Sequence, residues 1–196
     1  MNIAEIKKRK LLFILVFTMM IAMLLGALFI SVLSQSNKGL IKNSINTYFS
    51  DVRLNNINYL KGFFSSVFSD LFLNTFIWIM GISIIGIVIV LCVFMFKSFL
   101  VGFNFISIIY TYGLKGFFLA IIYIIPEIIS LFILFVLVYY SISFSCLLFR
   151  YLFRKKEITR KIIMVRYLKL LVFMICGTVI NNLIGVFVIP AVFRLF

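Results

Sequence analysis

The sequence has no histidine and only 2 prolines, 3 cysteines and 5 acidic residues. Each scarcity excludes something. Without histidine there is no His-based triad, no haem anchor and no ordinary metal cage. Cys92, Cys146 and Cys176 stand far apart in apolar segments, so no zinc or redox spacing exists, and they read as small apolar residues. Serines are common, but no base stands at a sensible spacing from them. Gly81 and Gly86 lie in a hydrophobic run rather than in a phosphate-binding loop. No catalytic constellation and no cofactor site is expected, so the protein reads as a non-enzyme.

Charge is also scarce, at 12% of the chain, while 65% is hydrophobic. A soluble domain of this size cannot hide that much apolar surface, so lipid must be the solvent for most of it. The 19 Lys and Arg leave a formal net charge of +14. In a soluble protein that balance would point to nucleic acid, but no basic stretch has the length or motif of a binding domain. The basic residues flank apolar spans, where they set orientation on an anionic inner leaflet. Membrane lipid is the expected partner, and nucleic acid is not.

The fold class expected is all-α: a polytopic integral membrane protein forming a single domain over 1–196. It should have about five transmembrane helices, one of them proline-broken, and an amphipathic outer segment. Leu11 to Leu33 follows a basic flank and is long enough to span a hydrocarbon core of about 30 Å. It lacks the short apolar core and small-residue cleavage site of a signal peptide, so it reads as an uncleaved anchor. Leu71 to Phe96 is an uncharged second span containing Gly81 and Gly86. Ser98 to Tyr112 is a short third, in which Ser98 and Gly102 form a small-xxx-small pair suited to helix packing. "YGLKG", Tyr112 to Gly116, is a turn. Phe117 to Phe149 as one straight helix would be about 49 Å long at 1.5 Å per residue, so a break is expected at Pro126. Leu170 to Phe193 is the last span, with Asn181, Asn182 and Gly185 inside it.

The basic N-terminus and the basic segment 150–169 should both be cytoplasmic, which places 34–70 outside and gives an N-in, C-out chain in a cell membrane. In 34–70, Ile41, Ile45, Tyr48 or Phe49, and Val52 recur at helical spacing, with Ser36 or Asn37 as the expected cap. "YLKGFFSSVFSD" then carries a second apolar face that includes Phe63. Two amphipathic helices lying on the membrane surface, or on the protein's own spans, fit this pattern. Ile41, Ile45, Tyr48, Phe49 and Phe63 are candidate partner-docking residues; the alternative is that they rest on lipid headgroups. Small-residue faces on the spans leave an oligomer open.

Pro126 and Glu127 are a candidate helix-break and polar site. A carboxylate at membrane depth is costly, and a proton-relay or substrate role would require it deep, paired and facing a cavity. Lys97 could pair with Glu127, but its expected place is near the inner surface, where it would snorkel. With no second intramembrane acid or matching base apparent, Glu127 is expected to satisfy freed backbone near the outer interface or among Asn104, Tyr110 and Tyr123.

Four stretches in order resemble the stage II sporulation protein M family of bacterial membrane proteins: "LLGALFISVLSQSNKGL" from Leu24, "IWIMGISIIGIVIVL" from Ile77, "FKSFLVGFNFISIIYTYGLKGFFLAIIYIIP" from Phe96, and "ISFS" from Ile142. The resemblance implies a membrane scaffold for engulfment in spore formers, located at the septal or forespore membrane. It implies recruitment of cell-wall hydrolases similar to stage II sporulation proteins D and P, which hold the peptidoglycan chemistry. Many family members carry an amide or imidazole residue where this chain has Glu127. A permease-like subunit for a small solute or export substrate is the alternative reading, with Pro126 and Glu127 lining a cavity.

Overall fold

In an apolar solvent every backbone N–H and C=O must be satisfied within the protein, and helices do this segment by segment. The computed structural model describes residues 3–54, 58–83, 85–154 and 160–193. Their regular elements are α1 (Ile3–Val32), α2 (Gln35–Arg53), α3 (Tyr59–Met80), α4 (Gly86–Arg154), α5 (Arg160–Leu183), a π-helical turn (Ile184–Val188) and α6 (Ile189–Phe193). Four helices are long and apolar enough to cross a membrane. The protein is therefore an all-α polytopic membrane protein, as its composition requires.

The helix boundaries correct three expectations. The segment 34–70 does not contain two separate amphipathic helices. Only α2 is separate, capped by Ser34, whose hydroxyl accepts from the Asn37 amide at 3.4 Å; Ser36 and Asn37 lie inside the helix. From Tyr59, capped by Asn58, one helix runs past Asp70 to Met80. Second, 71–96 is not one span, because the chain turns between α3 and α4. Gly81 caps α3. A side chain on Gly86 would collide with the Met80 carbonyl, so glycine is what lets the chain fold back there. The buried Ser145 hydroxyl lies 2.6 Å from the Gly81 carbonyl and 2.9 Å from that of Ser83, satisfying groups the turn frees. Third, α4 is not broken at Pro126. Its one non-helical residue is Gly113, at φ 60° and ψ −133°, within the expected turn. Pro126 stays inside the helix, packed against the π turn of the neighbouring helix: a Cβ on Gly185 would sit 3.6 Å from the Pro126 ring.

Gly113 folds α4 into two antiparallel arms, 86–112 and 114–154. The Phe94 and Phe135 rings lie 6.2 Å apart across them. The chain thus traverses the bundle five times. The start of α1, the α3–α4 turn and the start of α5 share one end. At the other lie α2, Gly113 and Phe193. Most of the basic segment 150–169 has no described side chains, and Glu157 and Thr159 lie outside the described residues. Leu15, Ile77, Val90, Phe94, Leu134 and Leu137 form the buried centre. Phenylalanine and leucine dominate the exposed surface of α1 and α3. Cys92, Cys146 and Cys176 are on that outer surface too.

Close backbone approach fixes α1 against the first arm of α4. A Cβ on Gly26 would strike the Phe99 carbonyl, and one on Gly102 would strike the Met23 carbonyl. Ser98, fully buried, returns its hydroxyl to the Phe94 carbonyl at 2.8 Å. Gly102, and Ser98 one turn before it, thus lie on the buried face of this arm, with Gly102 against α1. Gly39 of α2 contrasts with it, since a Cβ there would meet nothing within 4 Å. Thermal unfolding in detergent should separate the two. Gly102→Val should lower stability by at least about 2 kcal/mol through overpacking. Gly39→Ala should raise it by about 0.5–1 kcal/mol, because only the unfolded chain loses freedom. Equal effects would show that the α1–α4 contact does not limit stability.

Candidate functional site

The most polar part of the interior lies near the middle of three helices. Lys97 of the first α4 arm places its Nζ 3.6 Å from Asp70 Oδ1 on α3 and 4.0 Å from Glu127 Oε2 on the second α4 arm. Three-quarters of each of these side chains is enclosed: relative exposures are 23% for Lys97, 24% for Asp70 and 25% for Glu127. The other Asp70 oxygen accepts from Asn182 Nδ2 of α5 at 2.9 Å. One turn along both helices, Asn74 Nδ2 donates to Thr178 Oγ1 at 3.1 Å. Asp70 and Asn74 thus pair with Asn182 and Thr178 as two rungs of a ladder between antiparallel helices.

This arrangement overturns the expectation that Lys97 snorkels and that Glu127 lacks an intramembrane partner. The physical reason is the α3 boundary. Once Tyr59–Met80 is one helix, Asp70 stands halfway along it, and Lys97 gains two opposite charges at its own depth. Unit charges 4 Å apart attract by about 4 kcal/mol at an effective dielectric near 20, which outweighs reaching for a distant surface. Asn104 and Tyr110 lie away from Glu127. Asn104 lines a separate groove, and Tyr110 sits 6.0 Å from the Lys38 ammonium.

A cavity of about 280 Å³ opens beside the charges. Asp70, Lys97, Glu127, Asn181 and Asn182 line its polar part, and Tyr48 and Pro190 its end toward α2. Asn181 is 5% exposed, and its Oδ1 has no hydrogen-bond partner. Gly185 belongs to the π turn beside it and, with Pro126, forms an apolar wall. A π turn holds an extra residue per turn and recurs at functional sites; here it follows directly on Asn181 and Asn182. Partial burial, then the neighbouring Tyr59, raises the Tyr48 phenol above its ordinary range, so Tyr48 meets the cavity as a neutral donor.

The remaining candidate residues fall into separate places. Gly81 packs near the opposite end, where an added Cβ would lie 2.6 Å from Ser141 Oγ. There Tyr167 donates to the Trp78 carbonyl at 2.7 Å and its ring stacks between Trp78 and Phe144. Gly86 serves the turn. Ile41, Ile45, Tyr48 and Phe49 border a groove of about 490 Å³ between α2 and the first α4 arm. Phe49 meets Tyr112 and Phe193, with ring centroids 5.4 and 5.0 Å away. Phe63 lies apart on α3, against Phe187 at 6.0 Å. Among the described residues, no group of His, Cys, Asp and Glu is arranged to hold a metal ion.

The charge count ranks three substitutions. Lys97→Met leaves two enclosed carboxylates without their cation and should cost on the order of 3 kcal/mol. Glu127→Gln leaves one neutral Asp70–Lys97 pair and should be nearly silent in stability. Asp70→Asn removes one acid but also disturbs the bond with Asn182, and should fall between them. Denaturation midpoints of the purified protein check the order; a Glu127→Gln loss as large as that of Lys97→Met would contradict it.

Comparison with known proteins adds one finding. The family model described as Stage II sporulation protein M matches residues 13–193. No curated protein and no solved structure matches the chain. The match takes in α1, both arms of α4 and the charged cluster together, and so covers nearly every element described above. The chain belongs to the stage II sporulation protein M family.

Proposed function

We propose that the protein is a non-catalytic membrane scaffold. It recruits or anchors peptidoglycan hydrolases, similar to stage II sporulation proteins D and P, at the septal membrane during engulfment. The observation that carries this reading is α2 in a chain of this family. It is a capped amphipathic helix held across one end of the bundle, with its buried Val52 packed against Ile189 and Phe193. The basic N-terminal flank belongs to the opposite end, so the positive-inside rule puts α2 outside, on the cell-wall side. Five crossings, N-in and C-out, follow from the same asymmetry.

The docking face proposed is the groove along α2. Ile41 and Ile45 remain partly open beside it, whereas Phe49 is engaged with Phe193 and holds the wall, and Phe63 stands outside the groove against Phe187. An apolar side chain of a partner fits between α2 and Phe103 or Ile108. Ile45→Asp should abolish co-purification of the cell-wall hydrolases with a normally abundant, inserted protein. Phe49→Ala should instead lower abundance by loosening α2. Retained co-purification with Ile45→Asp would overturn the docking face.

A second reading, a permease-like subunit, is favoured by the Asp70–Lys97–Glu127 cluster facing a cavity, since enclosed charges at membrane depth commonly mark pathways. Loss of biological activity in Glu127→Gln, with hydrolase recruitment intact, would move it ahead of the scaffold.

The orientation has its own check. In a background with the three native cysteines replaced by alanine, Ser44→Cys should react with an impermeant thiol reagent in intact cells. Thr159→Cys should react only after lysis. The reverse pattern would invert the map and place α2 in the cytoplasm.

A further inference from the structure

Two carboxylates face one ammonium in the cavity between α3, α4 and α5. Counted as ionised, Asp70, Glu127 and Lys97 leave one negative charge uncompensated in an enclosed, largely apolar place, and such a charge demands a counterion. The Lys97 contacts, at 3.6 and 4.0 Å, are longer than hydrogen bonds, so both carboxylates keep acceptor capacity. A second observation is independent of the acids. Asn181, 5% exposed, lines the same cavity with an Oδ1 that no donor reaches. A buried acceptor left open in this way calls for a donor.

We propose that this cavity binds a primary ammonium group, the headgroup of an amine-bearing ligand. Three features select that chemistry. Asp70, Glu127 and Asn181 offer oxygen acceptors, and the negative net charge of the cluster disfavours an anion. The single uncompensated charge matches a monovalent cation. A primary ammonium carries three donors, one each for Asp70, Glu127 and Asn181, which stand on three different helical segments. The volume of about 280 Å³ far exceeds a bare metal ion. Pro126, Val186 and Ile189 give the rest of the cavity an apolar lining suited to the carbon chain an amine carries. Lys97 already shows that these carboxylates accept an alkylammonium. Two sources offer the same group: the ethanolamine headgroup of a membrane lipid, or a free amine. The inference does not depend on hydrolase recruitment, since it concerns the interior of the bundle and not α2.

The full-length protein in nanodiscs of phosphatidylcholine, which has no primary amine, is titrated with ethanolamine and followed calorimetrically. Saturable binding is expected, with tetramethylammonium and sodium at least tenfold weaker because neither brings N–H donors. Glu127→Gln should weaken ethanolamine binding at least tenfold and Asn181→Leu about fivefold, with helical content and melting temperature retained. In nanodiscs containing phosphatidylethanolamine, loss of ethanolamine binding through competition identifies the lipid headgroup as the source. Unchanged affinity there identifies a free amine. No saturable binding, equal binding of tetramethylammonium or sodium, or unchanged affinity in both variants overturns the proposal. If a variant fails to fold, the ranking of the three cations on the native protein decides alone.

Discussion

The Lys97 ammonium shared between Asp70 and Glu127 is the interaction on which the interior depends. Apolar side chains gain nothing from one neighbour over another when the surrounding solvent is equally apolar, so helices in lipid are positioned by packing and by polar bonds. Three charges from α3 and the two arms of α4 meet at one depth. None of these segments can move far without leaving a charge unpaired. The Asn182 amide extends the constraint to α5 through the second Asp70 oxygen. A slip of one turn, about 5.4 Å, between α3 and α5 would break both that bond and the Asn74–Thr178 bond. The ladder therefore sets the register of the bundle where leucine and phenylalanine contacts alone would leave it loose.

Among the described residues, α1 makes no such bond to the rest of the interior. It is held by closeness instead, with Gly26 and Gly102 admitting the backbones of their partner helices. The two devices divide the structure. Shape fixes the helix that carries no interior charge, and electrostatics fixes the helices that do. At the end away from α2, stacked Trp78, Tyr167 and Phe144 and the Ser145 hydroxyl close the turn that makes α3 and α4 antiparallel.

Much of this is legible in the sequence. The helical class, the membrane environment, the Tyr112–Gly116 turn and the amphipathic character of α2 all follow from composition, run length and spacing. The charged cluster does not, because a charge within an apolar run shows its meaning only beside its counterion. By sequence Asp70 reads as the end of a polar segment, and Lys97 as the border of a span. The spacing that exposes them is present: Asp70 and Asn74, like Thr178 and Asn182, stand four apart, on one face of a helix. Pro126 misleads for a related reason. The lost donor is a local rule, whereas the neighbouring π turn that packs against the proline is contributed by a distant segment. The direction of the α2 apolar face is equally hidden, since periodicity shows that a face exists but not whether the chain itself covers it. Phe193 and Tyr112 cover the Phe49 end of it.

Tyr48 and Tyr123 give the outer helix and the interior a shared wall, because both residues line the charged cavity and the groove beside α2. α2 is anchored at its far end by Phe49 and Val52, and its Tyr48 ring borders the space above Glu127. A helix laid only on lipid could shift without consequence for the bundle. This one cannot, because its displacement would unpack Phe193 and open the cavity at the α2 end of the bundle. The groove along α2 and the charged cavity are thus parts of one mechanical unit, joined through two tyrosines.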